Sequence, residues 1–336
     1  MNRLWTFRLF AAGIPTVLGL VAIVFVLIEQ ERLVFEDGSI RLQSPPTYVQ
    51  EPGHDRTGHK YLYDSELGWR NIANWEATTF GKKLTTNSKH LRDREYTYEK
   101  PEGWKRILVL GDSFTWGYGV ANDDIFTEIL EERFENEGKQ WEVLNAGVSG
   151  WGTDQEYLYY VRDGVKFTPD IVVLAFYIGN DPNNNVESIQ YGLNKPLFTD
   201  MNLTVANVPV PKPLTDNTKI IRSTIHGLAI STKIMQELTK ECNKTGAQLV
   251  IMKFGLFQMP NSKSARQTEA TFHSLVPAIT KLGGAHYLDL DAEFEKRSAT
   301  VEQLTKGIAD GHWNPYGHET VAEILHDFLQ AQSLLK

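Results

Sequence analysis

The chain has 336 residues, 41% of them hydrophobic, which is enough to bury one large core or two modest ones and excludes a disordered chain. A net charge of -8 with no basic stripe excludes a phosphate-backbone partner, because nucleic-acid affinity rests on clustered Lys and Arg that release counterions. The single cysteine, Cys242, excludes an internal disulfide and any multi-cysteine metal site and reads as a small packed thiol.

From Leu9 to Ile28 the sequence is free of charge and mostly aliphatic or aromatic, about the length needed to cross a ~30 Å hydrocarbon layer as a helix. Arg3 and Arg8 precede it, and Glu29, Glu31 and Arg32 follow. The positive-inside rule therefore predicts a single-pass anchor over residues 1–29, amino terminus in the cytoplasm and the body outside, periplasmic or extracellular. A cleaved signal peptide is the alternative, but Phe25-Val26-Leu27-Ile28-Glu29-Gln30 lacks the small-x-small pattern of a cleavage site.

Residues 30–104 follow as linker and preface. Pro45-Pro46, Gly53 and scattered charges suit a spacer up to about Lys60. From Tyr61 to Trp104, aromatics and turn residues interleave as in an irregular, partly β-structured preface packed on the main domain.

Residues 105–336 alternate short apolar runs with amphipathic ones, the mark of a parallel α/β sheet. Strands are predicted at Ile107 to Leu110, Trp141 to Leu144, Ile171 to Phe176, Leu249 to Phe254 and Tyr287 to Leu290. Ile125, Phe126, Ile129, Leu130 and Phe134 recur at helical spacing and predict a covering helix. The run at about 183–219 has no readable period and predicts an insertion, either a functional loop or lid or a β-rich excursion capping the sheet edge.

The chemistry gathers behind these strands. Ser113 follows the first, where ligands collect in open parallel sheets, and a serine there needs a base, an orienting carboxylate and oxyanion donors. His312 suits the base and Asp310 the group that orients it, while His318 is the runner-up as base or else a packing residue. The five residues between His312 and His318 do not give zinc-ligand spacing, so no metal and no cofactor are expected. Gly150, in the loop after the second strand, and Asn180, after the third, can supply donors beside the Ser113 N–H. Trp116, Trp151, Trp313 and Tyr316 are candidate platforms for stacking on sugar rings.

Gly111-Asp112-Ser113, Asn145-Ala146-Gly147-Val148-Ser149-Gly150, Gly179-Asn180-Asp181 and Asp310-Gly311-His312 together resemble the four sequence blocks of the SGNH, or GDSL, hydrolase family. The resemblance runs from about Arg106 to Leu329. It implies a three-layer α/β/α sandwich with a central parallel sheet, the flavodoxin-like SGNH fold, in keeping with the lack of Gly-x-Ser-x-Gly around Ser113. It further implies Ser113 as nucleophile, a Ser113/Asp310/His312 triad, and Ser113, Gly150 and Asn180 as oxyanion donors. Many members separate the aspartate and histidine by two residues. The single Gly311 here resembles the branch that acetylates or deacetylates exported polysaccharides.

The leading expectation is thus a serine ester hydrolase outside the cytoplasmic membrane, acting on an ester or acylated glycan and associated with envelope polysaccharide machinery. A glycan O-acetyltransferase using the same triad and a noncatalytic glycan-binding or scaffold subunit stand as alternatives, and a lipase or thioesterase is also open.

Overall fold

The computed structural model describes the strands Leu33–Glu36, Ser39–Leu42 and Tyr48–Gln50 and residues 60–212, 224–257, 259, 261–308 and 311–335. Leu33–Glu36 pairs antiparallel with Ser39–Leu42 in a small unit of its own. No helix among the described residues is long and apolar enough to cross a membrane, and the predicted anchor, residues 1–29, lies outside them.

The larger unit, residues 49–336, is organised by five strands: β1 Lys105–Leu110, β2 Trp141–Asn145, β3 Ile171–Tyr177, β4 Gln248–Phe254 and β5 His286–Asp289. They pair parallel throughout, in the order β5-β4-β3-β1-β2. The apolar runs explain why. Ile107 to Leu110 are fully buried, and only a sheet covered on both faces gives consecutive strand residues no solvent side.

The pleat sorts alternate residues into two cores. Leu108, Leu110, Val172 and Leu174 pack on one face with Tyr160, Leu238 and Phe272; Ile107, Val109, Val173 and Val250 pack on the other with Phe126, Leu130, Leu325 and Trp313.

The helices, in chain order, are α1 Ser113–Trp116, α2 Phe126–Asn136, α3 Thr153–Arg162, α4 Asp181–Asn184, α5 Thr224–Thr245, α6 Lys263–Gly283, α7 Leu290–Lys296, α8 Val301–Thr305 and α9 Pro315–Ala331. Helices α3, α5 and α6 contribute to the first core and α2, α7 and α9 to the second, which gives a mixed α/β fold of three layers.

This strand order reverses direction between β1 and β3, so a crevice opens at their carboxyl ends. Ser113 follows β1 and Asn180 follows β3. Strands Lys60–Asp64 and Gly68–Arg70, with the turns after them, buttress the crevice from below. The Trp69 indole donates to the Ser149 carbonyl at 3.0 Å, Asn71 Nδ2 to the Gly147 carbonyl at 3.1 Å, and Gln155 Nε2 to the Leu67 carbonyl at 2.7 Å. In the insertion, Ile189–Gln190 pairs with Leu193–Asn194 and Leu197–Phe198 with Val205–Ala206, so its described part is a β-bearing excursion.

Candidate active site

The apolar run of β1 ends at Gly111, and the chain turns at once into α1. Asp112 caps that helix by accepting from the Phe114 N–H at 2.9 Å, which leaves Ser113 as its first residue with a backbone N–H that no helical carbonyl can reach. Arg92 steadies the far end of the turn. Its buried guanidinium donates to the carbonyls of Trp116, Gly117 and Val120 at 2.7–2.9 Å.

Ser113 Oγ lies 2.7 Å from Nε2 of His312, although 199 positions separate them in sequence. Both residues are half-buried, so solvent or a small ester can reach them. The imidazole is held between rings, stacked on Phe114 at 4.5 Å and tilted against Tyr118 at 4.4 Å. Asp310 lies outside the described residues.

His318, the runner-up as base, is placed elsewhere. It is buried, its Nδ1 accepts from the Phe126 N–H at 3.3 Å, and burial, helped by Arg92 and His312, pushes its pKa down to about 3. It is a neutral packing residue.

The loop after β2 docks directly on the nucleophile turn. The Val148 N–H donates to the Gly111 carbonyl at 3.1 Å, and Gly147 packs so close that a Cβ there would stand 2.5 Å from the Trp116 nitrogen. Three residues beyond Gly147, Gly150 holds a φ of +81°, which an L side chain rarely adopts, with the ring of Tyr191 from the insertion lying over it. On the other side, Asn180 Nδ2 donates to Asp112 Oδ2 at 3.0 Å, so the amide end of Asn180 faces the residue beside the nucleophile. The structure thus brings Ser113, His312, the Gly150 loop and Asn180 to one rim.

The three tryptophans proposed as sugar platforms are not on that rim, and this corrects the sequence reading. Trp116 is buried, its indole donating to Asn71 Oδ1 at 3.1 Å with the Arg92 guanidinium 4.4 Å over its ring. Trp151 is buried with its indole on the Trp69 carbonyl at 2.8 Å. Trp313 is buried against Phe114 and Phe254. Each ring contributes more by leaving water than it could by exposing a face. Tyr316 alone of the four is exposed.

Beneath the rim lies a group of buried carboxyls. Burial pushes Asp112 up to about 6, against the N–H donors that favour its ionised form. Asp181 and Glu156 are raised well above the ordinary range, first by burial and then by the neighbouring carboxylates, and neither oxygen of Glu156 has a hydrogen-bond partner among the described residues. A raised pKa means that the folded state keeps a proton which the unfolded chain loses above about 4.5. Stability therefore falls as pH rises from that value through the folded pKa. Glu156→Gln removes this cost. Its thermal midpoint, measured against the native protein, is expected to gain roughly 2–4 °C more at pH 8 than at pH 5, as about 1 kcal/mol produces in a domain of this size. An equal difference at both pH values would contradict the assignment.

A second convergence of ligand-type groups sits at the β4–β5 edge. Glu269, His273 and Asp289 each present an atom within 4.8 Å of the others. Lys253 already fills the space between these carboxylates, its ammonium contacting Glu269, Asp289 at 3.2 Å and Asp291 at 2.8 Å. A fixed cation of the protein thus stands where an ion would.

Residues 109–320, more than half the chain, match the model of the GDSL-like lipase/acylhydrolase family. The chain belongs to this family. It is accordingly a carboxylic ester hydrolase.

No curated protein matches it. Solved structures similar to it include TesA (16% identity, 68% of this chain and 99% of that one, TM-score 0.45) and the psychrotrophic esterase EstA from Pseudoalteromonas sp. (14%, 68% and 98%, 0.46). Another is Axe2, an acetylxylan esterase from Geobacillus stearothermophilus (15%, 70% and 95%, 0.46).

Several residues with a part in the site escaped the sequence reading. Asp112 reads as a turn residue, and only the fold reveals that it orients Asn180. Arg92 and Tyr191 sit in segments without a motif, and no local pattern distinguishes them from surface residues.

Proposed function

We propose that this chain hydrolyses esters through an acyl-enzyme on Ser113. The observation that carries the reading is the 2.7 Å contact between Ser113 Oγ and His312 Nε2, at the crevice where the strand order reverses. His312 takes the serine proton as Oγ attacks the ester carbonyl. The tetrahedral oxyanion is met by the N–H groups of Ser113 and Gly150 and by the Asn180 amide. As the C–O bond to the leaving alcohol breaks, the imidazolium returns the proton to it. Water then attacks the acyl-serine with His312 again as base, and a carboxylic acid leaves. Asp310, two residues before His312, is assigned to the second ring nitrogen by the Asp-Gly-His sequence.

The charge-free stretch Leu9 to Ile28 and its flanking arginines support placing the body outside the cytoplasmic membrane, tethered through residues 1–29. The Asp-x-His spacing supports an acetylated carbohydrate as substrate. The burial of Trp116, Trp151 and Trp313 removes these rings as stacking surfaces for a glycan acceptor, which supports water as the acyl acceptor.

A fluorophosphonate probe is expected to label Ser113, and the protein to release acetate from an acetylated oligosaccharide at a rate that an added unacetylated acceptor leaves unchanged. Failure to label Ser113 would refute the acyl-enzyme. Acetyl transfer outpacing acetate release would favour the transferase instead.

A further inference from the structure

We infer that Lys195, a residue of the insertion, is a positioning residue for the oxyanion donors; this rests on the esterase reading above. A fully buried lysine is rare, and this one has 0% exposure. Its ammonium bonds the Asp154 carboxylate, the Asn184 carbonyl at 2.9 Å and the Pro196 carbonyl at 3.2 Å, with the Glu187 carbonyl at 3.5 Å. Two of these partners belong to the segments that carry the donors.

Asp154 is the second residue of α3, four positions beyond Gly150. Asn184 is the last residue of α4, whose first turn hangs from Asn180: the N–H groups of Asn183 and Asn184 donate to the Asn180 carbonyl at 2.8 and 2.9 Å. One ammonium therefore joins the loop behind β2 to the loop behind β3. The join is reinforced where the Asp154 N–H meets Asn185 Oδ1 at 2.9 Å and Asn185 Nδ2 meets Ser231 Oγ of α5 at 2.8 Å.

Charge adds to the geometry. Asp112, Asp154, Glu156 and Asp181 are all buried; the charges of Asp112, Asp154 and Asp181 raise the pKa of Glu156, and those of Asp112 and Asp154 raise that of Asp181. Lys195 is the cation bonded within this set. Without it, Asp154 is left as an unpaired buried carboxylate and the two loops lose their shared tie. Gly150 and Asn180 then drift relative to Ser113, and a misplacement of about 1 Å in such a site costs on the order of 10²-fold in rate.

The test compares the full-length native protein with Lys195→Met and with the charge-balanced double variant Lys195→Met/Asp154→Asn, which removes both members of the ion pair. The substrate is p-nitrophenyl acetate. The folded variants are expected to lose roughly 10-fold to 100-fold in kcat with KM changed less than about twofold, and to lose affinity for methylboronic acid, whose tetrahedral serine adduct occupies the donors, in proportion to kcat. A purely structural lysine would lower the thermal midpoint and leave the ratio of boronate to substrate affinity unmoved.

Native kcat in either folded variant would overturn the assignment. So would failure of both variants to fold, which would make Lys195 a determinant of the whole fold. If the native protein shows no Ser113-dependent turnover, the esterase reading itself fails and this inference fails with it.

Discussion

Replacing Ser113 with Ala is expected to lower kcat for p-nitrophenyl acetate by on the order of 10⁴-fold to 10⁶-fold while the thermal midpoint stays nearly unchanged. The two halves of this expectation have separate causes. In the proposed acyl-enzyme Ser113 Oγ is the atom that becomes acylated, so no neighbouring group can substitute for it, and the residual rate reflects the oxyanion donors alone. The hydroxyl itself is half-buried and bonded to His312, and losing one such bond costs about 1 kcal/mol. The helix cap that positions residue 113 is made by Asp112 and survives the substitution. Steady-state kinetics beside a thermal melt checks both. Turnover retained within tenfold would show that the 2.7 Å contact is not the catalytic one.

The parts of the fold that were readable from sequence are those where one physical requirement dominates. A strand covered on both faces must be largely apolar, and the five apolar runs beginning at Ile107, Trp141, Ile171, Leu249 and Tyr287 are strands within one or two residues of their predicted ends. Ser113 was readable for a related reason, since it lies just past the carboxyl end of β1, whereas His312 follows α8 and not a strand and was readable from its Asp-Gly-His block. The tryptophans misled because an aromatic next to a catalytic residue looks the same in sequence whether its ring stacks on a ligand or closes the core. Lys195 was invisible because a lysine's burial is decided by distant partners, here Asp154 and the carbonyl of Asn184. Asp112 reads as a turn residue and hid its second role, because Asn180 arrives 68 positions later.

That second role leads to the other large effect, expected from Asn180→Asp. The substitution is nearly isosteric, yet it replaces an N–H donor 3.0 Å from Asp112 Oδ2 with an oxygen. Loss of one oxyanion donor costs about 10²-fold to 10³-fold, and Asn180→Ala should show that loss alone. The aspartate adds a second penalty. A carboxyl at half-buried position 180, this close to the buried Asp112 carboxyl, disfavours ionisation of both, so the pair shares a proton and holds about one negative charge where the oxyanion must develop.

The kcat of Asn180→Asp at pH 8 is therefore expected to fall a further 10-fold or more below that of Asn180→Ala. Its stability should carry the same signature. Asp112 is already pushed up to about 6 by burial, and the new carboxyl raises the pair further, so the folded state retains a proton that the unfolded chain releases near pH 4. Stability present below pH 4 is then lost progressively as pH rises toward the raised folded value. The thermal midpoint of Asn180→Asp relative to Asn180→Ala should drop between pH 5 and pH 8. Equal kcat in the two variants, with a midpoint difference that does not vary with pH, would mean that Asp112 does not face position 180 in solution.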